Sequence, residues 1–210
     1  MNSNLFPIAK EGWNYILISF SLFFFSYLFE LTLLCVVFFV LTLFFVYSFR
    51  NPEREITNYS DGSILSPCDG IVASIVELEN TQYSYKIEVE NSFFDIGILR
   101  APMDSTVDSI VKYNGSRVSS KSPLYKDLNE YAELVFKNEN NSLRIIHRLK
   151  RSFAPLFIHS QKNMKLKQSE RYAFMANGVT AIYLSNNFRI NVKIGDKVKA
   201  SESLIGYFSK

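Results

Sequence analysis

The chain is poor in cysteine and histidine, with two of each among 210 residues. Cys35 lies inside an apolar run and Cys68 just ahead of an Asp-Gly pair. That spacing gives no disulfide framework and no Cys/His set for a structural metal. His147 and His159 are the only imidazoles, which restricts any histidine-based catalytic scheme. An excess of one charge is missing too: the formal net charge of +3 is too small for bulk attraction to nucleic acid. After residue 50 no apolar pattern at helical spacing is sustained, although 122–131 allows a short helix. The N-terminal apolar stretch is too long for a signal peptide, and no small-residue cleavage site follows it.

What the chain has in excess is apolar sequence near its start. From Trp13 to Phe49 it is almost wholly apolar, interrupted by Glu30 and a few Ser, Thr and Asn. One helix crossing a bilayer core takes about 20 residues, so the run suits two short membrane helices near 13–29 and 31–49. Glu30 then falls at the turn between them, because a charge at mid-bilayer depth costs roughly 3 kcal/mol or more. Lys10 precedes the run and Arg50 and Arg54 follow it. Both flanks are basic, which puts both in the cytoplasm. The expected organisation is a membrane-anchoring segment 1–50 followed by one domain over 51–210. A single tilted span over 31–49, with 13–29 lying on the interface, is the alternative.

Past a charged exit at 49–55 and a turn at Tyr59-Ser60-Asp61-Gly62, the character changes. Short stretches rich in β-branched and aromatic residues occupy 63–77, 83–90, 94–99, 106–113, 132–137, 143–149, 153–159, 179–184 and 189–194. Turn residues separate them, including Asp69-Gly70, Asn114-Gly115 and those at 138–142. This spacing predicts a mainly β domain. Residues 190–208 are similar to the hairpin of lipoyl-like domains, with Gly195-Asp196 as the turn and Val192, Ile194 and Val198 facing inward. Ser66-Pro67-Cys68-Asp69-Gly70-Ile71-Val72 has the same character. Two such half-motifs imply a pseudo-symmetric barrel-sandwich hybrid, an architecture that says little about function.

Five blocks point to a family. Lys10-Glu11-Gly12 leads into the apolar run, Phe49-Arg50-Asn51-Pro52-Glu53-Arg54 leaves it, and Ser66-Pro67-Cys68-Asp69-Gly70 follows. Leu99-Arg100-Ala101-Pro102-Met103 and Asn129-Glu130 come next in order. They resemble the HREGYP, FFRDPER, SPADG, VNRAPM and NE elements of phosphatidylserine decarboxylases of the short bacterial type. The resemblance covers nearly the whole chain and implies a place at the cell inner membrane, with the β domain on the cytoplasmic side.

In that family the stretch matching 169–184 reads close to GERFGLIRFGSRVDVYL. The Gly-Ser bond is cut autocatalytically there, and the serine becomes a pyruvoyl group. That group holds the substrate amine as a Schiff base and takes up the electron pair left by decarboxylation. Here Asn177-Gly178-Val179-Thr180 occupies the place, one residue shorter and without the serine. Thr180 has a hydroxyl, but an N-terminal threonine yields an oxobutyryl group, which the family does not use. The resemblance further implies an Asp–His–Ser arrangement for the cut. Asp69 matches the aspartate, whereas Gly97 stands at the histidine, leaving no base to activate a hydroxyl. Asp69, Gly97, Gly178 and Val179 therefore read as vestigial positions, and no pyruvoyl cofactor is expected at Asn177-Gly178-Val179. Asn177-Gly178 reads instead as a hairpin turn. Asp69 also has a plain structural reading, an aspartate capping a tight turn. The letters GSRV recur at 115–118, but upstream of Asn129-Glu130, where Tyr113-Asn114-Gly115-Ser116 suits a hairpin turn.

Basic residues supply the remaining candidates. Arg100, His147, Arg148, Lys150 and Arg151, with Arg144 nearby, form either a solvated face or a cradle for phospholipid head groups. Each basic group near an anionic membrane contributes on the order of 1 kcal/mol. Lys162, Lys165, Lys167 and Arg171 suit a loop over the same surface or a soluble loop, and His159 reads as a strand end. Three functions remain. One is an inactive relative of the decarboxylase that binds membrane phospholipid, another lipid-metabolism enzyme or an active paralogue. A second is a genuine lyase, converting phosphatidylserine to phosphatidylethanolamine at an atypical site. The third is a membrane-tethered barrel-sandwich adaptor.

Overall fold

A computed structural model describes residues 6–54, 62–79 and 82–209. The chain divides into two compact units, Met1–Glu53 and Arg54–Lys210.

In the first unit a 3-10 turn at Lys10–Gly12 leads into α1 (Trp13–Leu28), and α2 (Thr32–Ser48) runs back beside it. Glu30 takes a left-handed φ of 56° in the turn, as expected from its break in the apolar run. Thr42 Oγ1 donates to Ser19 Oγ across the helix pair at 3.1 Å. At the open end, Ala9 N donates to Phe49 O at 2.8 Å and Asn51 N to Pro7 O at 2.7 Å. The Lys10-Glu11-Gly12 and Phe49-Arg50-Asn51 blocks thus meet. Glycine is required at 12 because a Cβ there would sit 2.5 Å from that of Phe49.

The helices have 16 and 17 residues, or about 24–26 Å of rise against a bilayer core of about 30 Å. Among the described residues no helix is long and apolar enough to cross a membrane. The helix pair forms where the sequence places it, but the expectation of two spans is not met. Leu17, Ile18, Phe24, Phe29, Leu33 and Val40 stay exposed on its outside.

The second unit is built from short strands. In chain order they are β1 (Ser63–Leu65), β2 (Gly70–Glu77), β3 (Tyr85–Asn91), β4 (Ile98–Arg100), β5 (Ser105–Tyr113), β6 (Tyr131–Lys137) and β7 (Ser142–Leu149). Then come β8 (Phe157–Ile158), β9 (Lys165–Leu166), β10 (Arg171–Phe174), β11 (Gly178–Leu184), β12 (Phe188–Ile190), β13 (Lys197–Val198) and β14 (Leu204–Phe208). One short helix, α3 (Tyr125–Leu128), precedes β6. The strands make three antiparallel sheets, ordered β1-β14-β12, β4-β10-β8 and β13-β2-β3-β11-β7-β6-β5-β9. This is the mainly β unit expected, but its sheets are open, and none closes into a barrel among the described residues.

Alternation on the central strands sets the core. β7 reads Leu143, Ile145, His147 and Leu149 inward, all at 0 % exposure, with Arg144, Ile146 and Arg148 outward. Facing them are Ile87 and Val89 from β3, Leu134 and Phe136 from β6, and Ile182 and Leu184 from β11.

Several local expectations change. Asn114-Gly115 does not close a two-residue hairpin: β5 and β6 pair through Tyr113↔Tyr131, and the chain between them makes an excursion containing α3. Asn177-Gly178 is no hairpin either. β10 and β11 lie in different sheets, and 175–177 carries the chain from one to the other. Of the three residues assigned inward near the C-terminus, Val198 is buried but Ile194 is 64 % exposed beside Gly195, whose φ of +93° makes the turn. The turn expected at Tyr59-Ser60-Asp61 lies outside the described residues.

Candidate functional site

The centre of the large sheet carries the chemistry. β11 is paired along its length with β3 on one side and β7 on the other, in a register that sets Thr180 opposite both Val89 and His147. Thr180 and His147 point into the core at 0 % exposure. His147 Nδ1 lies 2.9 Å from Thr180 Oγ1, and its Nε2 lies 2.6 Å from the Tyr172 hydroxyl. Thr180, His147 and Tyr172 thus form one buried polar chain, and Thr180 also acts on the Cys68 thiol, drawing its pKa down against burial.

Burial governs the protonation of Cys68, His147 and Tyr172. It pushes His147 down to about 3, so the ring is neutral and has one donor and one acceptor nitrogen. It pushes the Cys68 thiol up to about 12 and the Tyr172 phenol well above its ordinary value. In one tautomer Tyr172 donates to Nε2 and Nδ1–H donates to Thr180. In the other the Thr180 hydroxyl donates to Nδ1, the arrangement of a hydroxyl with its general base. Sequence reasoning left this pair out. It expected no base near 178, taking Gly97 as the position of the family's histidine, whereas His147 lies against a hydroxyl two residues further along β11. The matching inward parity of 147 and 180 was the available signal, but it depends on a register that only pairing reveals.

Gly97 and Gly178, two of the positions expected to be vestigial, also come together. Met175 N donates to Gly97 O at 2.8 Å, Asn91 Nδ2 donates to Met175 O at 3.0 Å, and Gly178 N donates to Asn91 Oδ1 at 2.6 Å. Gly97 and Gly178 thus lie on either side of Met175, which is itself wholly buried. A Cβ at 178 would approach the Met175 sulfur and the Arg148 carbonyl oxygen to 2.5 Å. One at 97 would meet the Phe174 ring at 2.7 Å and Met175 O at 3.0 Å. Asn177 fixes the same bend: its Nδ2 donates to Arg151 O at 2.8 Å, and Lys150 N donates to Asn177 O at 3.0 Å. Val179 turns outward, away from this packing.

Asp69 is tied elsewhere. Its Oδ2 pairs with Arg54 at 2.5 Å and its Oδ1 accepts from Ala200 N at 2.8 Å, while Arg54 also reaches Glu202 at 2.7 Å. Burial raises its pKa against those favourable contacts. The carboxylate thus links the start of the unit to the 199–202 turn, the structural role that an Asp-Gly pair suggested.

The basic candidates do not share one surface. Arg100 is buried on β4 and donates to Ser169 O at 3.2 Å. His147 is in the core and its neighbour Arg148 on the outer face, because alternate residues of a strand face opposite ways. Arg148 donates to the Lys126 carbonyl oxygen and lies 4.8 Å over the Tyr131 ring. Lys150 pairs with Glu90, and Arg151 is exposed in the following loop. Lys162, Lys165 and Lys167 are exposed around β9. His159 follows β8 as expected, its N–H donating to Tyr172 O at 2.8 Å.

Asn129 and Glu130, one of the five family blocks, prove to be a clamp. Asn129 accepts from Val118 N and donates to Val118 O and Leu149 O at 2.7–2.9 Å. Glu130 accepts from Leu156 N at 3.1 Å and pairs with Arg117 at 3.3 Å. Together they hold the excursion between β5 and β6 against the end of β7.

Residues 41–206 match the family model described as phosphatidylserine decarboxylase, and the chain belongs to that family. Curated relatives extend the likeness over nearly the whole length. The phosphatidylserine decarboxylase proenzyme of Geotalea uraniireducens is 28% identical over 208 residues, covering 95% of this chain and 96% of that protein. Those of Ralstonia pickettii, 27% identical over 220 residues, and Desulfotalea psychrophila, 25% over 206, cover 97% and 95% of this chain and 98% and 96% of their own.

Proposed function

We propose that this protein is a membrane-associated member of the family that serves phospholipid metabolism by binding lipid or an active relative, without making a pyruvoyl group at Asn177-Gly178-Val179. The convergence of Gly97 and Gly178 carries the reading. Position 178 offers no hydroxyl and position 97 no imidazole, and a side chain at either collides with its surroundings. The residues present do not fit pyruvoyl formation at this bond. Membrane attachment is supported by the exposed apolar outside of α1 and α2, which suits embedding in lipid. The basic residues Lys10, Arg50 and Arg54 favour the cytoplasmic side of the cell inner membrane for the β unit. A barrel-sandwich relationship is supported by the meeting of the two half-motifs: β13 pairs with β2, Ser66 N donates to Ser203 O, and Ser201 N to Ser66 O.

Mass spectrometry of the chain purified from membranes tests this. A single species at the full 24.2 kDa is expected. A split between residues 176 and 180, with a blocked new N-terminus, overturns it.

One observation favours a second reading, decarboxylase activity at an atypical site: the Thr180 hydroxyl already lies against His147. With Nε2–H donated to Tyr172, Nδ1 accepts the hydroxyl proton as Oγ1 attacks the Val179 carbonyl carbon. The amide becomes an ester. Elimination followed by hydrolysis consumes one water, releases ammonia, and leaves a carboxylate on Val179 and a 2-oxobutyryl group at 180. Against it, Thr180 is wholly buried in a strand paired on both sides. Fragments 1–179 and 180–210 in the same measurement would establish this second reading in place of the first.

A further inference from the structure

The outer face of the same strands holds a cavity that neither reading uses. It has a volume of about 250 Å³ and lies between α3 and the outward side chains of β3, β11 and β7. Three cations line it, Lys86, Lys126 and Arg148, against a single carboxylate, Glu88. That carboxylate is already engaged by Lys86 at 2.5 Å and by Ser74 Oγ at 2.9 Å. The cavity therefore carries an uncompensated positive charge. Val179, Ala181 and Ile146 give it an apolar floor.

A fourth group makes this more than a basic patch. The Tyr125 hydroxyl, on the same wall, is buried and has no hydrogen-bond partner. Its phenol is pushed up to about 12, mainly by burial, so it remains a donor. Buried polar groups are nearly always paired, and an orphan calls for a partner that is absent. Arg148 spends one of its five donors on the Lys126 carbonyl oxygen and keeps its plane over Tyr131. Lys126 has no ion pair among the described residues. Lys126 and Tyr125 of α3 and Arg148 of the sheet thus line one space, with the Tyr125 hydroxyl buried in its wall. A carboxylate presents its two oxygens in one plane, whereas the oxygens of a tetrahedral phosphate, monoester or diester, point out of one plane and so suit donors on two walls.

We infer that this cavity binds the phosphate of a small phosphomonoester or phospholipid head group, with the organic substituent over Val179, Ala181 and Ile146. The inference deepens the lipid-binding reading but is independent of whether the chain is cut. The site lies on the face of β11 opposite the buried Thr180.

The test uses the full chain in detergent. Inorganic phosphate and O-phosphoethanolamine are titrated by calorimetry, and the O-phosphoethanolamine titration is repeated with the protein in vesicles of phosphatidylcholine with 20% phosphatidylserine. Saturable binding of at least one soluble phosphate is expected, weakened about tenfold by Lys126→Gln and about fivefold by Tyr125→Phe. Both substitutions alter half-buried or exposed side chains, so folding survives; Arg148→Lys is the third variant, removing the fork while keeping the charge. If O-phosphoethanolamine binds more weakly to the protein in vesicles than in detergent, lipid competes for the cavity and the natural source is a lipid head group. If its binding is unchanged, the source is a free phosphomonoester. Absence of binding up to 10 mM, or binding unchanged in all three variants, overturns the inference. Vesicle binding that persists in that case leaves membrane attachment through the helices standing.

Discussion

The two faces of β7 and β11 differ although their residues alternate along the same strands. Inward, Thr180 and His147 lie among apolar side chains with every polar atom matched to a neighbour, and the imidazole is held neutral. Outward, one residue along, Val179 and Arg148 border an open space in which charge outnumbers countercharge and a hydroxyl lacks a partner. A satisfied buried network contributes to specifying the fold. The outer face is less completely paired, with the buried Tyr125 hydroxyl unpartnered beside an open cavity. Position alone therefore misleads: the residue with general-base chemistry is sealed in, while its basic neighbour faces a cavity.

The largest effect separating the faces is pH dependence. His147 titrates near 6.5 when unfolded and about 3 when folded, so the unfolded chain binds more protons between those values. Its contribution is complete above pH 6.5 and is lost as pH falls, by roughly 5 kcal/mol over the window. Urea unfolding at pH 7 and pH 4 in the wild type and His147→Gln measures this; a variant that loses stability as steeply as the wild type refutes the assignment. Next comes His147→Ala, which leaves the Thr180 and Tyr172 hydroxyls unpaired around a hole and should cost about 3 kcal/mol at pH 7. A loss under 1 kcal/mol would mean that the network is not closed.

Gly178→Ser addresses the family's cleavage position directly. The new side chain meets Met175 and the Arg148 carbonyl, so about 1–3 kcal/mol of destabilisation is expected, with the chain remaining intact by mass. Adding Met175→Ala should recover part of the loss, and failure to do so would place the clash elsewhere. On the outer face, Arg148→Met should move stability by no more than about 1 kcal/mol in thermal melts. A loss as large as that of His147→Ala would erase the distinction between the faces.

Much of the architecture was legible in the chain. Apolar residues broken once by Glu30 marked the two helices to within a residue or two, and alternation marked β6 and β7. Pairing was not legible. Asn-Gly at 114–115 and 177–178 signals a tight turn locally, yet β5 reaches β6 through a longer excursion clamped by Asn129 and Glu130, and β10 leaves β11 for another sheet. Short-range turn preference was outweighed in both places by where the strands bury their faces. For the site, the sequence singled out Gly97 and Gly178, and the structure brings them to the two sides of Met175. Thr180 and Tyr172 were not visible as partners of His147, because they meet it across intervals of 33 and 25 residues.

By itself the sequence determined the family, the mainly β character and the apolar helix pair, since each depends on residue type and local spacing. Only the tertiary structure decided that His147 has a hydroxyl to serve, that Met175 fills the space between positions 97 and 178, and that Arg148 faces a cavity with Lys86, Lys126 and Tyr125. Those facts depend on strand register. A shift of one residue would exchange the two faces, bringing His147 into the cavity and Arg148 into the core.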